Sequence, residues 1–168
     1  DIIAQWPKDR FDLFPDVYIG RLPCRNENDV STIVQKIIDY ETKSYGQFWF
    51  NRFVAVGGDT FIDYSGYEGE ITCDFAADYM NGFDILKLYS STGALTGSTE
   101  LKNAINNDEV TLISAIAHAN EDMSMDVHCY SWESDYHNTK PFFIHDYGCH
   151  CGDMDAADDG VLHSMLFH

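Results

Sequence analysis

The chain has 168 residues, 45% of them apolar and 14% aromatic, which is enough for one domain with a packed core. Its 28 Asp and Glu stand against 10 Lys and Arg, a net charge of −18. That balance argues against nucleic-acid backbones and anionic membranes as partners, and no apolar run is long enough to span a bilayer.

Along the chain, residues 1–15 carry Trp6-Pro7 and Phe14-Pro15 and read as an extended lead-in. Asp16-Val-Tyr-Ile-Gly-Arg-Leu-Pro23 predicts a short strand broken by Gly20 and Pro23. A helix follows, capped by Asn26 or Asn28, with Val30, Ile33, Val34, Ile37 and Ile38 on one stripe that only Glu41 interrupts. Arg52-Phe-Val-Ala-Val56 reads as a buried strand running into the loop Gly57-Gly58-Asp59. Glu70 to Met80 predicts a helix with Ile71, Phe75 and Tyr79 on one face, and Asp84 to Ser90 a strand. A short helix from Ser98 to Asn106 precedes the apolar strand Val110-Thr-Leu-Ile-Ser-Ala-Ile-Ala, which ends at His118. The stretch from His118 to Pro141 is too polar and irregular for a core element and reads as a long functional loop. Pro141-Phe-Phe-Ile-His-Asp-Tyr147 is the last strand, and a helix begins near Asp158.

Strands that alternate with helices in this way imply a three-layer α/β/α fold with a mostly parallel sheet. The chain starts at Asp1 without a methionine and stops inside an apolar segment, so residues 1–168 read as a single unit excised from a longer protein. Nothing in the sequence marks an internal boundary.

Two buried runs end in reactive side chains: one at His118, the other at Gly148-Cys149. In a parallel sheet both ends lie on the carboxyl edge, where open α/β folds collect their chemistry. A thiol with an imidazole base beside it is the minimal equipment of a cysteine nucleophile, and glycines at 148 and 152 leave room for a substrate carbonyl. Cys24, Cys73, Cys129, Cys149 and Cys151 make an odd number without framework spacing, which speaks for a free thiol or a metal site rather than a disulfide scaffold.

The segment Asp16-x-x-x-Gly20-Arg21-Leu22-Pro23, followed by a helix closing on Tyr40-Glu41, resembles the opening signature of the gingipain-type cysteine peptidases, family C25. Cys149-x-x-Gly152-Asp153-Met154 is similar to that family's nucleophile motif, with Met in place of Phe. His118 stands 31 residues before Cys149, where the family carries its base. The resemblance implies a caspase-like fold, a polypeptide substrate, and an extracellular or cell-surface location. It also implies Cys149 as nucleophile, His118 as base, and backbone amides of Ala119 and Cys149 as oxyanion donors. Asp59 then corresponds to the acid that orients the histidine. Glu70, eleven positions on, corresponds to the pocket acid that selects a basic residue before the scissile bond.

Other readings stay open at this point. Ala119 replaces the family's glycine after the histidine, and Asn120-Glu121-Asp122-Met123 replaces the residues expected next, which fits a catalytically decayed binding module. His145, Cys149, His150 and Cys151, joined by His118 or His128, offer donors for a zinc-like ion. Oxidation between Cys149 and Cys151 would block the nucleophile reversibly. The acidic clusters at 122–126 and 153–159 suit a structural calcium, although no cofactor is required for the chemistry.

Overall fold

A computed structural model describes residues 17–61, 63–95, 99–155 and 160–167. The N-terminal lead-in, Asp16, and the acids Asp158 and Asp159 lie outside them. The element order is α1 (Glu27–Lys43), β1 (Arg52–Gly57), α2 (Glu68–Ala77), β2 (Asp84–Tyr89), a 3-10 turn (Ser90–Thr92), α3 (Thr99–Asn106) and β3 (Leu112–Ile116). Then come β4 (Ala119–Asn120), β5 (Met123–Ser124), β6 (Val127–His128), α4 (Cys129–Asp135), β7 (Phe143–Asp146) and α5 (Val161–Phe167).

Four strands form one parallel sheet in the order β2-β1-β3-β7. The apolar runs at 52–57 and 112–116 become its two central strands because a strand covered on both faces has no polar side to alternate with. Alternate residues serve opposite faces. Val54, Val56, Ile113 and Ala115 point to one face and pack with Leu101 and Ile105 of α3, Trp132 of α4 and Val161 of α5. Phe53 and Ala55 point to the other and meet Cys73 of α2. The result is the expected α/β/α arrangement, with a core cluster on each side of the sheet.

Helix α1 begins where its cap predicts: Asn26 Oδ1 accepts the N–H groups of Asn28 and Asp29 at 2.9 and 3.1 Å. Its apolar stripe, however, is mostly uncovered. Ile33 is buried, whereas Val30, Val34, Ile37 and Ile38 are exposed. The same correction applies to α2, where Ile71 and Phe75 face outward, as does Tyr79 just beyond its end. The face of α2 turned to the sheet carries Gly69, Glu70 and Cys73 instead. There the N-terminal turn of the helix lies so close to the sheet that only glycine fits. A Cβ on Gly69 would collide with Ile116 O and lie 2.6 Å from Gly58 O.

Two further expectations are overturned. Among residues 17–23 no strand forms, and Tyr18 is fully exposed, so the apolar character of that stretch finds no sheet to join. Residues 118–141 are not one irregular loop. They build a three-stranded antiparallel sheet, β4-β5-β6, and helix α4. Met125 and Asp126 form the β5–β6 turn with φ of 55° and 59°. Positive φ at both central residues is the pattern of a type I′ hairpin, normally supplied by Asn-Gly. Met125 tolerates it because its side chain is wholly buried and anchors the hairpin to the core.

Candidate active site

Three loops leave the carboxyl edge of the sheet side by side, after β1, β3 and β7. Asp59 and His118 each stand two residues beyond the paired Gly57 and Ile116. His118 and Cys149 each stand three residues beyond the paired Ala115 and Asp146. Register therefore starts all three loops from one edge of the sheet, with the histidine loop between the other two. Neighbouring strands are about 4.8 Å apart where they pair.

Close backbone packing fixes the loops further. Gly58 N donates to Ile116 O at 3.0 Å, tying the Asp59 loop to the end of β3. On the other side Gly148 rests on Ala119. A Cβ at Gly148 would overlap Ala119 Cβ and lie 3.0 Å from Asp146 Oδ1. The residue before the thiol thus touches the residue after the imidazole. His118 and Cys149 are both exposed.

The turn carrying Cys149 is held from both ends. Asp153 N donates to His150 O at 3.0 Å, and His150 occupies the left-handed region at φ 57°. His150 Nδ1 lies 3.1 Å from Asp153 Oδ2, which explains how a non-glycine residue stays there. Cys151 is half-buried and donates its thiol to Gly148 O at 3.3 Å. Burial first, then the charge of Asp146, pushes the Cys151 thiol above its ordinary pKa. The second thiol is thereby kept protonated beside an exposed first one.

The two acids taken from the resemblance stand differently. Asp59 is half-buried and its Oδ1 accepts Phe61 N at 3.2 Å, a local Asx turn. Glu70 is 9% exposed, and Ser91 donates to it twice, from its amide at 2.8 Å and its hydroxyl at 2.7 Å. Among the described residues no group of three His, Cys, Asp or Glu is disposed to hold a metal ion. His145 packs edge-on against Tyr147 and His128 stacks on Tyr130.

Sequence reasoning passed over Asp146, the last residue of β7. Its Oδ1 accepts Gly148 N at 2.8 Å and its Oδ2 accepts the Ser124 hydroxyl at 2.5 Å. The available signal was an aspartate closing an apolar run two residues before a glycine. Also unforeseen is a cavity of about 340 Å³ in which the Arg21–Arg25 segment meets Cys151–Met154 and the first turn of α5. The two sequence motifs quoted above therefore face one another across it.

The model of peptidase family C25 matches residues 3–166. No curated protein matches the chain. A crystal structure of the Arg-specific cysteine proteinase gingipain R superposes with a TM-score of 0.68 at 19% sequence identity. The match covers 94% of this chain and 38% of the other, so the chain spans well under half the length of that structure. At that identity the likeness establishes a shared fold.

Proposed function

We propose, from the premise that this chain belongs to peptidase family C25, that it is a cysteine endopeptidase using Cys149 and His118 as its dyad. The observation that carries this is that His118 and Cys149 each follow by three residues the paired Ala115 and Asp146 of adjacent parallel strands, with Gly148 seated on Ala119.

In this reading Cys149 Sγ attacks the scissile carbonyl while the His118 imidazole takes the thiol proton. The amides of Cys149 and Ala119 bind the oxyanion. Collapse breaks the C–N bond, and His118 returns the proton to the departing amine. A water, deprotonated by His118, then attacks the thioester, and the C–S bond breaks to release the acid and restore the thiol. Asp59 orients the imidazole from the neighbouring loop. The residue before the scissile bond is basic, selected by Glu70. A carboxylate offers about four acceptor sites, and Ser91 uses two, so capacity remains for an incoming guanidinium or ammonium. The partner is a polypeptide. Action outside the cell is part of this reading and rests on family likeness alone. Among the described residues no helix is long and apolar enough to cross a membrane.

Ala119 favours a second reading. Its Cβ fills the space against Gly148 that a glycine would leave open, as a decayed site serving as a binding or structural module would tolerate. One experiment separates the two. The protein is treated with a peptidyl acyloxymethyl ketone carrying Arg next to the warhead, and the adduct is mapped by mass spectrometry. Adduct on Cys149 that disappears in His118→Ala supports the peptidase. If a panel of warheads gives no adduct while iodoacetamide still alkylates Cys149, the module reading replaces it.

A further inference from the structure

Asp146 is unusual in bonding to both halves of the site at once. Through Gly148 N–H it holds the turn that presents the thiol. Through Ser124 it holds β5, whose partner strand β4 opens with Ala119, the residue directly after His118. Ser124 is 1% exposed, so this second bond is shielded from water. Both bonds are short and end on one carboxylate. With the Gly148–Ala119 contact they close a ring: carboxylate, nucleophile turn, base loop, hairpin, and back to the carboxylate.

We propose that Asp146 is a positioning residue that locks the nucleophile turn and the base loop at one separation, by accepting hydrogen bonds from each. The inference rests on the dyad reading above. It assigns to Asp146 no contact with the substrate. The carboxylate also adds to the upward shift of the Cys151 thiol, so one side chain both sets the working thiol and quiets its neighbour.

The test compares Asp146→Ala, Asp146→Asn and Ser124→Ala with wild type, on the fluorogenic peptide amide that the wild type cleaves fastest in a positional set. Rates are expressed per site titrated with the acyloxymethyl ketone, so that unfolded chains do not count. Asp146→Ala should lower kcat about 100-fold with KM within about twofold, the loss expected when reacting groups shift by about 1 Å. Asparagine keeps an oxygen for Gly148 N–H and an amide for the serine hydroxyl, so Asp146→Asn should recover most of the rate. Ser124→Ala removes one tie only, is the milder change should the alanine variant fail to fold, and should fall between. Wild-type kcat in Asp146→Ala or Ser124→Ala, a loss confined to KM, or an Asp146→Asn as slow as Asp146→Ala would each overturn the positioning role while leaving the dyad intact. A wild type that cleaves no peptide and takes no warhead would overturn the dyad reading, and this one with it.

Discussion

Gly148→Ala tests the geometry of the site most directly. Gly148 is not in the left-handed region, so alanine carries no backbone penalty there and the effect must be steric. The new Cβ would overlap Ala119 Cβ, far inside the ~3.5–4.0 Å at which two carbons rest. The His118 and Cys149 loops would have to part by more than about 1 Å, although the strands beneath them stay bonded. Overpacking of this kind costs about 1–3 kcal/mol. For a domain of this size each kcal/mol moves Tm by roughly 2–4 °C. Misplacement by about 1 Å costs on the order of 100-fold in rate. Second-order labelling of Cys149 by the acyloxymethyl ketone and thermal unfolding would read the two effects separately. Adding Ala119→Gly removes the colliding atom and leaves the Asp146 Oδ1 contact at 3.0 Å, so the double variant should regain most of the lost rate. A Gly148→Ala protein that labels at the wild-type rate would refute the argument. So would a double variant as slow as the single one.

Three further outcomes follow from the same packing. Gly69→Ala would press a methyl into Ile116 O, and stand 2.6 and 2.9 Å from Gly58 O and N; since these are backbone atoms with nowhere to move, the loss should exceed about 3 kcal/mol, and a Tm within a few degrees of wild type would contradict it. Glu70→Gln keeps a partner for Ser91 but removes the charge, so cleavage after Arg and Lys should fall at least tenfold while cleavage after neutral residues holds; a uniform change across substrates would mean that Glu70 only supports the fold. Alkaline pH should destabilise the protein, because burial raises the pKa of Cys73 from 9.0 to about 11 and also raises Tyr89 and Tyr136. Between pH 9 and 11 the unfolded chain releases protons that the folded chain retains, so stability present below pH 9 is lost on going up, with Cys73 contributing at most about 3 kcal/mol; denaturant midpoints that stay level from pH 8 to 10.5 would exclude this.

The parts of the fold legible in the sequence were those with a one-to-one physical signal. β1 and β3 are short apolar runs, and a sheet covered on both faces makes use of such runs, whereas β7, expected to be equally buried, leaves Phe143 and His145 exposed at the flank of the sheet. Asn26 declared the start of α1 because its side chain had backbone donors to satisfy. The parallel arrangement then put His118 and Cys149 on one edge without any knowledge of distances. What stayed hidden has causes of its own. The strands β4, β5 and β6 are two residues long, too short for any alternation to register. Their I′ turn is made by Met125 and Asp126, whose chemistry announces no hairpin. Periodicity located the apolar stripes of α1 and α2 but carried no information about what covers them, and both lie largely bare. Asp146 looked like any polar residue ending a strand, since Ser124, 22 residues before it, becomes its neighbour only after folding.

Among the described residues, β7, the strand that runs into Cys149, is the last of the four-stranded sheet in chain order and pairs with β3 alone. During synthesis β1, β2 and β3 can assemble first, with His118 and Asp59 already in place and no thiol facing them. Only the docking of β7, across a crossover that includes a whole hairpin sheet and α4, completes the pair. Parallel pairings of this range form slowly, because loop closure must precede the contacts that reward it. In the proposed dyad the base therefore precedes its thiol in chain order, and a chain stalled before residue 149 holds the His118 imidazole with nothing to activate.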